Sequence, residues 1–295
     1  MEAIAVIAHK KKSLGGGLNE LRRLLAERGY VAPLWFEASK SRKVGKLARD
    51  AVAQGATLLF IWGGDGSVQR CVDAVVDLNV ELALLPAGTA NLLATNLKIP
   101  TDLSKAVEIG LGGVSQRLDV GVMNGKCFTV MAGIGFDAET MNEADGTLKE
   151  RFGRLAYLWS GAKALRVNAR HTKIRVDGTT WFKGSATCVL VGQMNSVASG
   201  VSIFPQSDPL DGLLEVGVVT AKSARQWARV IARLALGSAD NSPFTEMTQG
   251  RHIEVALDRP SRYELDGGAR KKRRLHKISI RSGAIAVRVP RDTNS

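Results

Sequence analysis

A short run of glycine and aspartate in the first quarter of the chain is of the kind that binds phosphate. Gly63-Gly64-Asp65-Gly66-Ser67 directly follow the apolar segment TLLFIW (57–62) and precede a helical pattern through Val68 to Val76. Glycine lets the backbone turn sharply and approach a ligand closely, and a helix start supplies N–H groups and the positive end of a dipole. Asp65 would repel a bare anion, so a metal ion or a substrate hydroxyl is its expected partner. A strand-to-helix turn without any ligand would have the same composition.

A second turn of the same type follows the next apolar segment. The sequence LPAGTAN (85–91) ends the predicted strand 81–85, and its Thr89 and Asn91 are residue types that cap helices. The carboxyl ends of parallel strands lie at one edge of an open α/β sheet, where ligands bind. The two turns together therefore predict one phosphate-binding crevice, although Thr89 or Asn91 would cap a helix in either case.

Sequence motifs for other nucleotide, hydrolase and metal sites do not occur. There is no GxxxxGK[ST] or GxSxG run, and the histidines at 9, 171, 252 and 276 lack ligand spacing. Cys71, Cys127 and Cys188 form no CxxC pair, so neither a disulfide framework nor a zinc site is predicted. No run of about 18 apolar residues and no secretory signal pattern is found. The expectation is a reduced, cytoplasmic protein.

The charge of the chain favours an anionic partner. Its 295 residues include 41 Lys and Arg against 28 Asp and Glu, which gives a formal net charge of +13. Nucleic acid, nucleotide phosphates and an anionic lipid surface all suit such a field. We do not expect nucleic acid, because aromatic residues are only 5% of the chain and leave few platforms for stacking bases.

The elements that must position the two turns change character along the chain. Its length indicates two domains. Up to about residue 120, strands alternate with helices, which is typical of a parallel sheet covered by helices. Beyond it, turns such as Asn124-Gly125 and Asp177-Gly178 favour hairpins, so an antiparallel β domain is expected. The predicted strands are 3–8, 57–62, 81–85, 128–131, 173–176, 186–191, 214–219 and 251–257, and the predicted helices are 17–28, 68–76, 148–165 and 223–236.

Several motifs, in order, resemble the bacterial diacylglycerol kinase family, whose catalytic domain is shared with sphingosine and ceramide kinases. They are WGGDGSVQR (62–70), LPAGTANLLATNL (85–97), GIGFDA (133–138), DPLDGLLEV (208–216) and LDG (265–267). The resemblance covers nearly the full length. It implies an ATP-binding α/β domain similar to NAD kinases and phosphofructokinases (1–120, with 284–295 returning to it) and a β-sandwich lipid-substrate domain (121–283). The implied activity is phosphoryl transfer from ATP to a lipid hydroxyl, with diacylglycerol as acceptor and phosphatidic acid as product.

The resemblance also implies site residues by position. The ATP contacts fall on Ser41, Gly63, Gly64, Asp65, Gly66, Ser67, Val68, Gln69 and Thr89, and Asn91 joins them as part of the second turn. The acidic motif is similar to the family's magnesium site, which gives Asp208, Asp211 and the backbone of Leu213. Carboxylate and carbonyl oxygens suit Mg²⁺, although a Pro-led or Asx turn has the same composition.

Two positions depart from the family pattern. The loop after the first strand reads AHKKKS (8–13) instead of an Asn-Pro-x-Ser-Gly-like sequence, and its lysines could neutralise phosphate. Gly268 stands where the family's DGE motif has Glu, beside the matching Asp266. We assign proton acceptance from the lipid hydroxyl to Asp266 and place Asp65 on the metal–phosphate or hydroxyl side, with the reverse assignment open. Gly268 also keeps a second hypothesis open, a nucleotide- or lipid-binding homologue with little activity.

A lipid substrate requires contact with a bilayer, and two segments could provide it. The segment 223–236 places Trp227, Val230, Ile231 and Leu234 on one helical side, as in an interfacial helix or a helix packed on the second domain. The basic run 270–274 could meet anionic headgroups, nucleic acid or solvent at a hairpin tip. We expect peripheral attachment to the inner face of the membrane, and oligomer formation stays open.

Overall fold

The computed structural model describes residues 2–135, 169–198, 201–235 and 242–291. The chain forms two compact units, Met1–Leu118 with Gly283–Ser295, and Asp119–Ser282. The predicted helix at 148–165 lies outside the described residues. Within the described ranges, no helix is both long enough and apolar enough to cross a membrane.

The first unit is a parallel sheet covered by helices, which confirms the predicted fold class. Its strands are β1 (Ile4–His9), β2 (Leu34–Ala38), β3 (Leu58–Gly63) and β4 (Glu81–Pro86), in the order β2-β1-β3-β4. β1 and β3 are buried along their whole length, which explains their uninterrupted apolar sequences. The end of β16 (Gly268–Val289) pairs in parallel with β4 at Ala286 and Val287.

Amphipathic helices cover this sheet. They are α1 (Gly17–Ala26), α2 (Val44–Ala53), α3 (Asp65–Val75), the short α4 (Leu92–Asn96) and α5 (Leu103–Gly112), with a 3₁₀ turn at Ser41–Lys43. α1 buries Leu21, Leu24 and Leu25, the i, i+3, i+4 spacing of a helix face that packs on a core. α3 begins three residues before its predicted start, because the glycine-rich turn itself forms the first helical residues.

The second unit is antiparallel β, also as predicted. Its strands are the second half of β5 (Val114–Met123), β6 (Lys126–Phe128), β7 (Met131–Ile134), β8 (Arg170–Val176), β9 (Thr179–Ala186), β10 (Cys188–Gly192), β11 (Ser196–Ala198), β12 (Val201–Ser202), β13 (Leu214–Val219), β14 (Thr245–Gly250), β15 (His252–Leu265) and the first part of β16. The order β14-β13-β10-β7-β15-β16 is antiparallel throughout, and β8 pairs with β15 and β9. A core that includes Phe128, Val191, Val216 and Val255 lies against these strands.

Asx-Gly dipeptides form the tight turns of this unit. Asn124-Gly125 joins β5 to β6 and Asp177-Gly178 joins β8 to β9, which confirms both predicted hairpins. Asp266-Gly267 joins β15 to β16 in the same way. All six residues have positive φ, the conformation of a type I′ turn, which Asn, Asp and Gly adopt most readily.

In the second unit the structure divides one predicted strand, places the basic run away from a hairpin tip, and agrees with the packed alternative for the helix predicted at 223–236. The predicted strand 128–131 is divided between β6 and β7, because Thr129 and Val130 direct their N–H groups to Asp266 instead of a neighbouring strand. The basic run 270–274 lies inside β16 and not at a hairpin tip. The helix α6 (Ala224–Ala235) buries Trp227, Val230 and Leu234, so its apolar side packs on the protein, as an ordinary surface helix does.

Candidate active site

The two glycine turns of the first unit meet backbone to backbone. Gly63 and Pro86 are paired ends of the neighbouring strands β3 and β4, which brings the following residues together. A Cβ atom placed on Gly88 would lie 2.4 Å from the Cα of Gly64, and one on Gly64 would lie 2.9 Å from the Cα of Gly88. Both positions therefore require glycine, and the prediction that the two turns lie together is confirmed.

Polar side chains hold the second turn against the first. The Asp65 carboxylate accepts hydrogen bonds from the backbone N–H groups of Asn91 (3.1 Å) and Leu92. The Asn91 amide donates to the carbonyls of Pro86 (3.1 Å) and Gly88 (2.9 Å) and accepts from Gly88 N–H (2.8 Å). Asn91 has φ of 48°, which its short polar side chain tolerates. Asp65 and Asn91 thus shape the turns, and their contact with a ligand stays a prediction.

The other residues predicted to contact ATP divide into exposed and buried groups. The Ser41 hydroxyl lies 3.4 Å from that of Ser67, which places the loop before α2 beside the start of α3. Gly66 and Thr89 are exposed, and Gly63 is buried at the end of β3. Val68 and Gln69 are buried, so a ligand here would meet their main chain and not their side chains.

The basic loop after β1 lies at the same edge of the sheet. β1 pairs with β3, and Trp62 Nε1 donates to the carbonyl of Lys12 at 3.1 Å, which attaches the loop to the strand that ends in the glycine turn. Lys11 and Lys12 are exposed, whereas Lys10 forms an ion pair with Glu37 at 3.1 Å. Neutralisation of a phosphate by Lys11 and Lys12 stays a prediction.

In the second unit, Asp266 is a buried carboxylate with four hydrogen-bond donors. Its Oδ2 accepts from Thr129 N–H (2.8 Å) and Thr129 Oγ1 (3.1 Å), and its Oδ1 accepts from Val130 N–H (2.9 Å) and Met131 N–H (3.1 Å). The residue is only 4% exposed. Burial raises the pKa of Asp266 above its ordinary value, although the four hydrogen bonds act in the opposite direction. This carboxylate fastens the β15–β16 turn to the start of β7.

A buried polar network continues from Asp266 to the acidic motif. Gln193 Nε2 donates to the carbonyls of Thr129 (3.0 Å) and Asp119 (2.5 Å). The buried Asp119 carboxylate accepts from Gly212 N–H at 2.7 Å, and Asp119 N–H donates to Pro209 at 2.9 Å. The predicted base and the predicted metal turn are thus joined through Thr129, Gln193 and Asp119.

Sequence reasoning does not identify these three linking residues. A signal exists for two of them: Asp119 is the one charge in LDVGVM (118–123), and Gln193 follows the apolar strand CVLVG (188–192). A polar residue within a buried strand must find a partner, which makes it a candidate for a structural or functional role.

The acidic motif forms two Asx turns. Asp208 Oδ1 accepts from Leu210 N–H at 2.9 Å, and Asp211 Oδ1 accepts from Leu213 N–H at 2.8 Å. Both carboxylates are exposed. Burial, followed by the negative charge of Asp211, raises the pKa of Glu215 nearby. The motif therefore does form the turns that its composition indicates, and each turn uses Oδ1 of its aspartate.

This donor set fits Mg²⁺. Two carboxylate oxygens and the Leu213 carbonyl are hard donors, and Mg²⁺ commonly binds through one or two carboxylates while it keeps several waters. Among the described residues, no group of three or more His, Cys, Asp or Glu side chains is placed to hold a metal ion. A bound Mg²⁺ would therefore depend on water or on a phosphate for its remaining ligands.

The position of the missing Glu is next to an arginine. A Cβ atom on Gly268 would lie 2.8 Å from Nη1 of Arg270, which donates to the carbonyls of Gly268 (3.1 Å) and Ala269 (3.2 Å). The guanidinium is the far end of a flexible side chain, and the nearest backbone atom, the Leu265 carbonyl oxygen, would be 3.2 Å away. Backbone packing is therefore less restrictive at Gly268 than at Gly64 and Gly88.

Comparison with protein families matches two models to consecutive parts of the chain. Residues 5–123 match the diacylglycerol kinase catalytic domain, and residues 129–288 match the YegS C-terminal NAD kinase beta sandwich-like domain. The solved structures it resembles include a diacylglycerol kinase from Bacillus anthracis (TM-score 0.81, 21% identity, 98% of this chain and 97% of that one). They also include an NAD kinase from Archaeoglobus fulgidus in complex with ATP (TM-score 0.53, 12% identity, 97% and 93%).

Curated relatives are similar at moderate identity. The diacylglycerol kinase of Bacillus subtilis is 29% identical over 224 residues, 75% of this chain and 74% of that protein. "Probable lipid kinase YegS" of Salmonella typhimurium is 26% identical over 301 residues, 98% of this chain and 97% of that protein. A Synechocystis protein is 27% identical over 236 residues, and that match spans 77% of this chain but 53% of the relative.

Proposed function

Since the chain belongs to the lipid kinase family that joins a diacylglycerol kinase catalytic domain to a YegS-type β-sandwich domain, we propose that it transfers the γ-phosphoryl group of ATP to the hydroxyl of diacylglycerol and forms phosphatidic acid. The observation that carries this proposal is the contact between the glycine turns at Gly64 and Gly88, which only glycine permits. Such turns bring main-chain N–H groups close to phosphate.

The reaction needs positioned phosphates, neutralised charge and a proton acceptor. The lipid oxygen forms a bond to the γ-phosphorus, the bond from that phosphorus to the β–γ bridging oxygen breaks, and ADP leaves. The hydroxyl proton passes to a carboxylate. Lys11 and Lys12 offer positive charge for the phosphates of ATP. Asp208, Asp211 and the Leu213 carbonyl would hold Mg²⁺, which supplies further charge neutralisation when bound.

The contacts favour a reversal of the two aspartate roles assigned from the sequence. Asp266 is buried and its two oxygens accept four hydrogen bonds, so little capacity is left for a substrate proton. Asp65 is only half-buried, so a substrate hydroxyl can reach its carboxylate more readily than that of Asp266. We therefore propose Asp65 as the proton acceptor and Asp266 as a positioning residue.

One observation favours a second candidate, a nucleotide- or lipid-binding protein with little transfer activity. Gly268 offers no side chain where the family motif has Glu, and an arginine guanidinium occupies the adjacent space. Transfer of labelled γ-phosphate from ATP to diacylglycerol, monoacylglycerol, ceramide and sphingosine, with Mg²⁺ present, separates the two candidates. Labelled phosphatidic acid supports the kinase, whereas ATP binding without any labelled lipid supports the binding protein.

The role of the glycine turns has a matched test. Gly64→Val should displace the second turn and abolish ATP binding, because its side chain would meet the backbone of Gly88. Gly112→Val is the control, since no atom lies within 4 Å of a Cβ placed on Gly112. Calorimetric titration with ATP should show binding in the control only. Unchanged ATP affinity in a folded Gly64→Val variant would place the nucleotide elsewhere.

The proton acceptor has a second matched pair. Asp65→Asn should reduce turnover by roughly 10²–10⁴-fold, the usual contribution of general acid–base catalysis. Asp102→Asn makes the same change at a helix cap, where the carboxylate accepts from Lys105 N–H at 2.8 Å, and should leave turnover nearly unchanged. Equal turnover in the two variants would exclude Asp65 as the acceptor.

We further propose peripheral attachment to an anionic membrane at its cytoplasmic face, where ATP is available. The support is the excess of 41 basic over 28 acidic side chains, which attracts anionic lipid. The apolar side of α6 is buried and does not contribute to this attachment.

A further inference from the structure

One face of the sheet formed by β9, β8, β15 and β16 carries rows of basic side chains. The strand register places Lys183 opposite Lys173 and continues that row through Ala256 to Leu275. The adjacent row runs from Thr180 through Arg175 and Glu254 to Lys277. Side chains alternate between the two faces of a strand, so these residues point outward together. We define the basic sheet face as Lys173, Arg175, Lys183, Arg273, Leu275 and Lys277, all of which are exposed.

Most of this positive charge is not balanced within the protein. Arg175 forms an ion pair with Glu254 at 3.4 Å. Among the described residues, none of the acidic side chains forms an ion pair with Lys173, Lys183, Arg273 or Lys277. Like charges directly opposite each other on paired strands destabilise a sheet, and Lys173 faces Lys183 in this way. The opposed lysines are therefore not offset by acidic side chains of the described residues, and this face is complementary to a partner of negative charge.

An apolar side chain lies between two of these cations. Leu275 is 48% exposed, one of the few large apolar side chains that the described structure leaves in solvent. Arg273 and Lys277 stand two residues to either side of it, each about 7 Å away along the strand. The three residues line an open groove of about 660 Å³, whose other walls include Val122, Asn124, His252 and the acidic Glu254. The groove therefore offers cationic contacts around an apolar centre.

We propose that the basic sheet face is the surface by which this protein docks on anionic phospholipid. The phosphates of the headgroups meet the lysines and Arg273, and Leu275 enters the boundary between headgroups and acyl chains. A broad sheet face suits the flat surface of a bilayer. A phospholipid can contact both the cationic side chains and the apolar Leu275 of the groove, whereas a purely polar polyanion can contact only the cationic side chains. The biological reason for docking rests on the proposed function, since the acceptor of a lipid kinase resides in the bilayer.

The test compares two triple variants with the same loss of charge in the same unit. The sheet variant is Lys173→Gln, Lys183→Gln and Lys277→Gln, and the helix variant is Arg225→Gln, Arg229→Gln and Arg233→Gln on α6. Flotation with vesicles of phosphatidylglycerol and phosphatidylcholine, without ATP, gives the partition coefficient of each protein. A basic residue near an anionic surface contributes about fivefold to binding, so the sheet variant should bind roughly 100-fold more weakly. The helix variant should bind nearly as wild type does, and binding of wild type should fall steeply with salt.

A melting curve without vesicles guards against misfolding. The sheet variant should melt at the wild-type temperature or above it, because one repulsive lysine pair is removed. Leu275→Ser should weaken vesicle binding several-fold while its salt dependence is retained.

Other results would overturn the proposal. One is equal vesicle binding by the sheet variant and wild type, and another is a loss of vesicle binding in the helix variant alone. A third is a sheet variant that loses affinity for an RNA oligonucleotide but binds vesicles as wild type does. Phosphorylation of a dispersed short-chain diacylglycerol, assayed separately, reports on the proposed function. Absence of that activity with loss of vesicle binding in the sheet variant would reject the kinase and retain the docking surface.

Discussion

Two hairpin turns of this chain have the same sequence and the same conformation but different surroundings. Asp177-Gly178 and Asp266-Gly267 each join paired strands with positive φ at both positions. The Asp177 side chain is 50% exposed and its carboxylate accepts from the N–H groups of Arg251 (3.1 Å) and His252 (2.8 Å). Asp266 is buried and accepts four hydrogen bonds. The dipeptide thus encodes the turn, while burial decides what the carboxylate does.

This comparison changes how the LDG motif is understood. The side chain of the Asn124 turn also binds a neighbouring strand, because Asn124 Oδ1 accepts a hydrogen bond from Lys277 N–H at 3.2 Å. Fastening a neighbouring strand is therefore a general use of Asx-Gly turns in this unit. What distinguishes Asp266 is its connection, through Thr129 and Gln193, to Asp119 and the acidic turn.

The largest effect should separate the two aspartates. Asp266→Asn keeps a residue suited to the turn but replaces an acceptor oxygen by an NH₂ group that faces N–H donors. Each Asp266 oxygen accepts two hydrogen bonds, and a bond to a charged group contributes about 1.5–3 kcal/mol, so we expect the free energy of unfolding to fall by about 3–6 kcal/mol. Asp177→Asn should cost less than about 1 kcal/mol, as surface changes usually do. Urea unfolding of both variants gives the two values.

Two outcomes would contradict this account of Asp266. Equal losses in the two variants would mean that burial adds nothing to the shared turn. A fully stable Asp266→Asn variant with roughly 10²–10⁴-fold lower turnover would return Asp266 to the role of proton acceptor.

The second effect compares two histidines near these turns. His276 is fully buried beside Tyr263, with ring centroids 5.0 Å apart, and burial lowers its pKa to about 4. The unfolded chain binds that proton near its ordinary pKa of about 6.5, so the stability from neutral His276 is present above about pH 6.5 and is lost as pH falls toward 4. We expect a loss of about 2–3 kcal/mol over this range.

Variants of the two histidines locate the source of that pH dependence. His276→Gln should flatten the decline of unfolding free energy between pH 6.5 and 4.5, measured by urea titration at several pH values. His252→Gln is the comparison, a histidine that is exposed and lies 3.7 Å from the Asp177 carboxylate. An unchanged decline in His276→Gln would mean that His276 is not its source.

A third effect tests the charge of Asp266 through its partner. Thr129→Val removes one hydrogen bond to the carboxylate and should cost about 1.5–3 kcal/mol, the usual value for a bond to a charged group. Thr172→Val is the control, because the buried Thr172 hydroxyl donates to the neutral carbonyl of Arg170 at 3.1 Å and should cost about 0.5–1.5 kcal/mol. A larger loss in Thr172→Val would show that the Asp266 network is not the stronger one.

The sequence predicts local structure well in this protein because the signals are local. The apolar runs of β1 and β3, the glycine turn before α3 and the Asx-Gly hairpins each depend on residues close together in the chain. The contact between Gly64 and Gly88 can also be predicted from the sequence, because neighbouring parallel strands end at the same edge of a sheet.

Long-range partners were not predictable in this way. Nothing near Asp266 in the sequence shows that its carboxylate accepts hydrogen bonds from the N–H groups of residues 129–131, which lie more than 130 positions earlier. The division of the predicted strand 128–131 has the same cause. The basic run 270–274 looks like one cluster in the sequence, but strand geometry joins Arg273 with Lys277 and with lysines of β8 and β9.

The smallest structural effect concerns the residue two positions after Asp266, and it decides between the two proposed functions. Gly268→Glu places a Cβ atom 2.8 Å from the Arg270 guanidinium, which can move and pair with the new carboxylate, and 3.2 Å from the Leu265 carbonyl oxygen, which must shift by a few tenths of an ångström. The stability should therefore change by about 1 kcal/mol. If Asp65 accepts the proton, turnover of diacylglycerol should change little, because the wild type already has its acceptor. If the missing Glu limits the reaction, labelled-phosphate transfer should be nearly absent in wild type and should rise in the variant.

Gly267→Glu is not a suitable control, because its φ of 74° strains any side chain, whereas Ala269→Glu adds the same charge one residue later. A rise in turnover with Gly268→Glu but not with Ala269→Glu would show that this position, and not charge alone, governs activity, and it would favour the weakly active homologue over the efficient kinase.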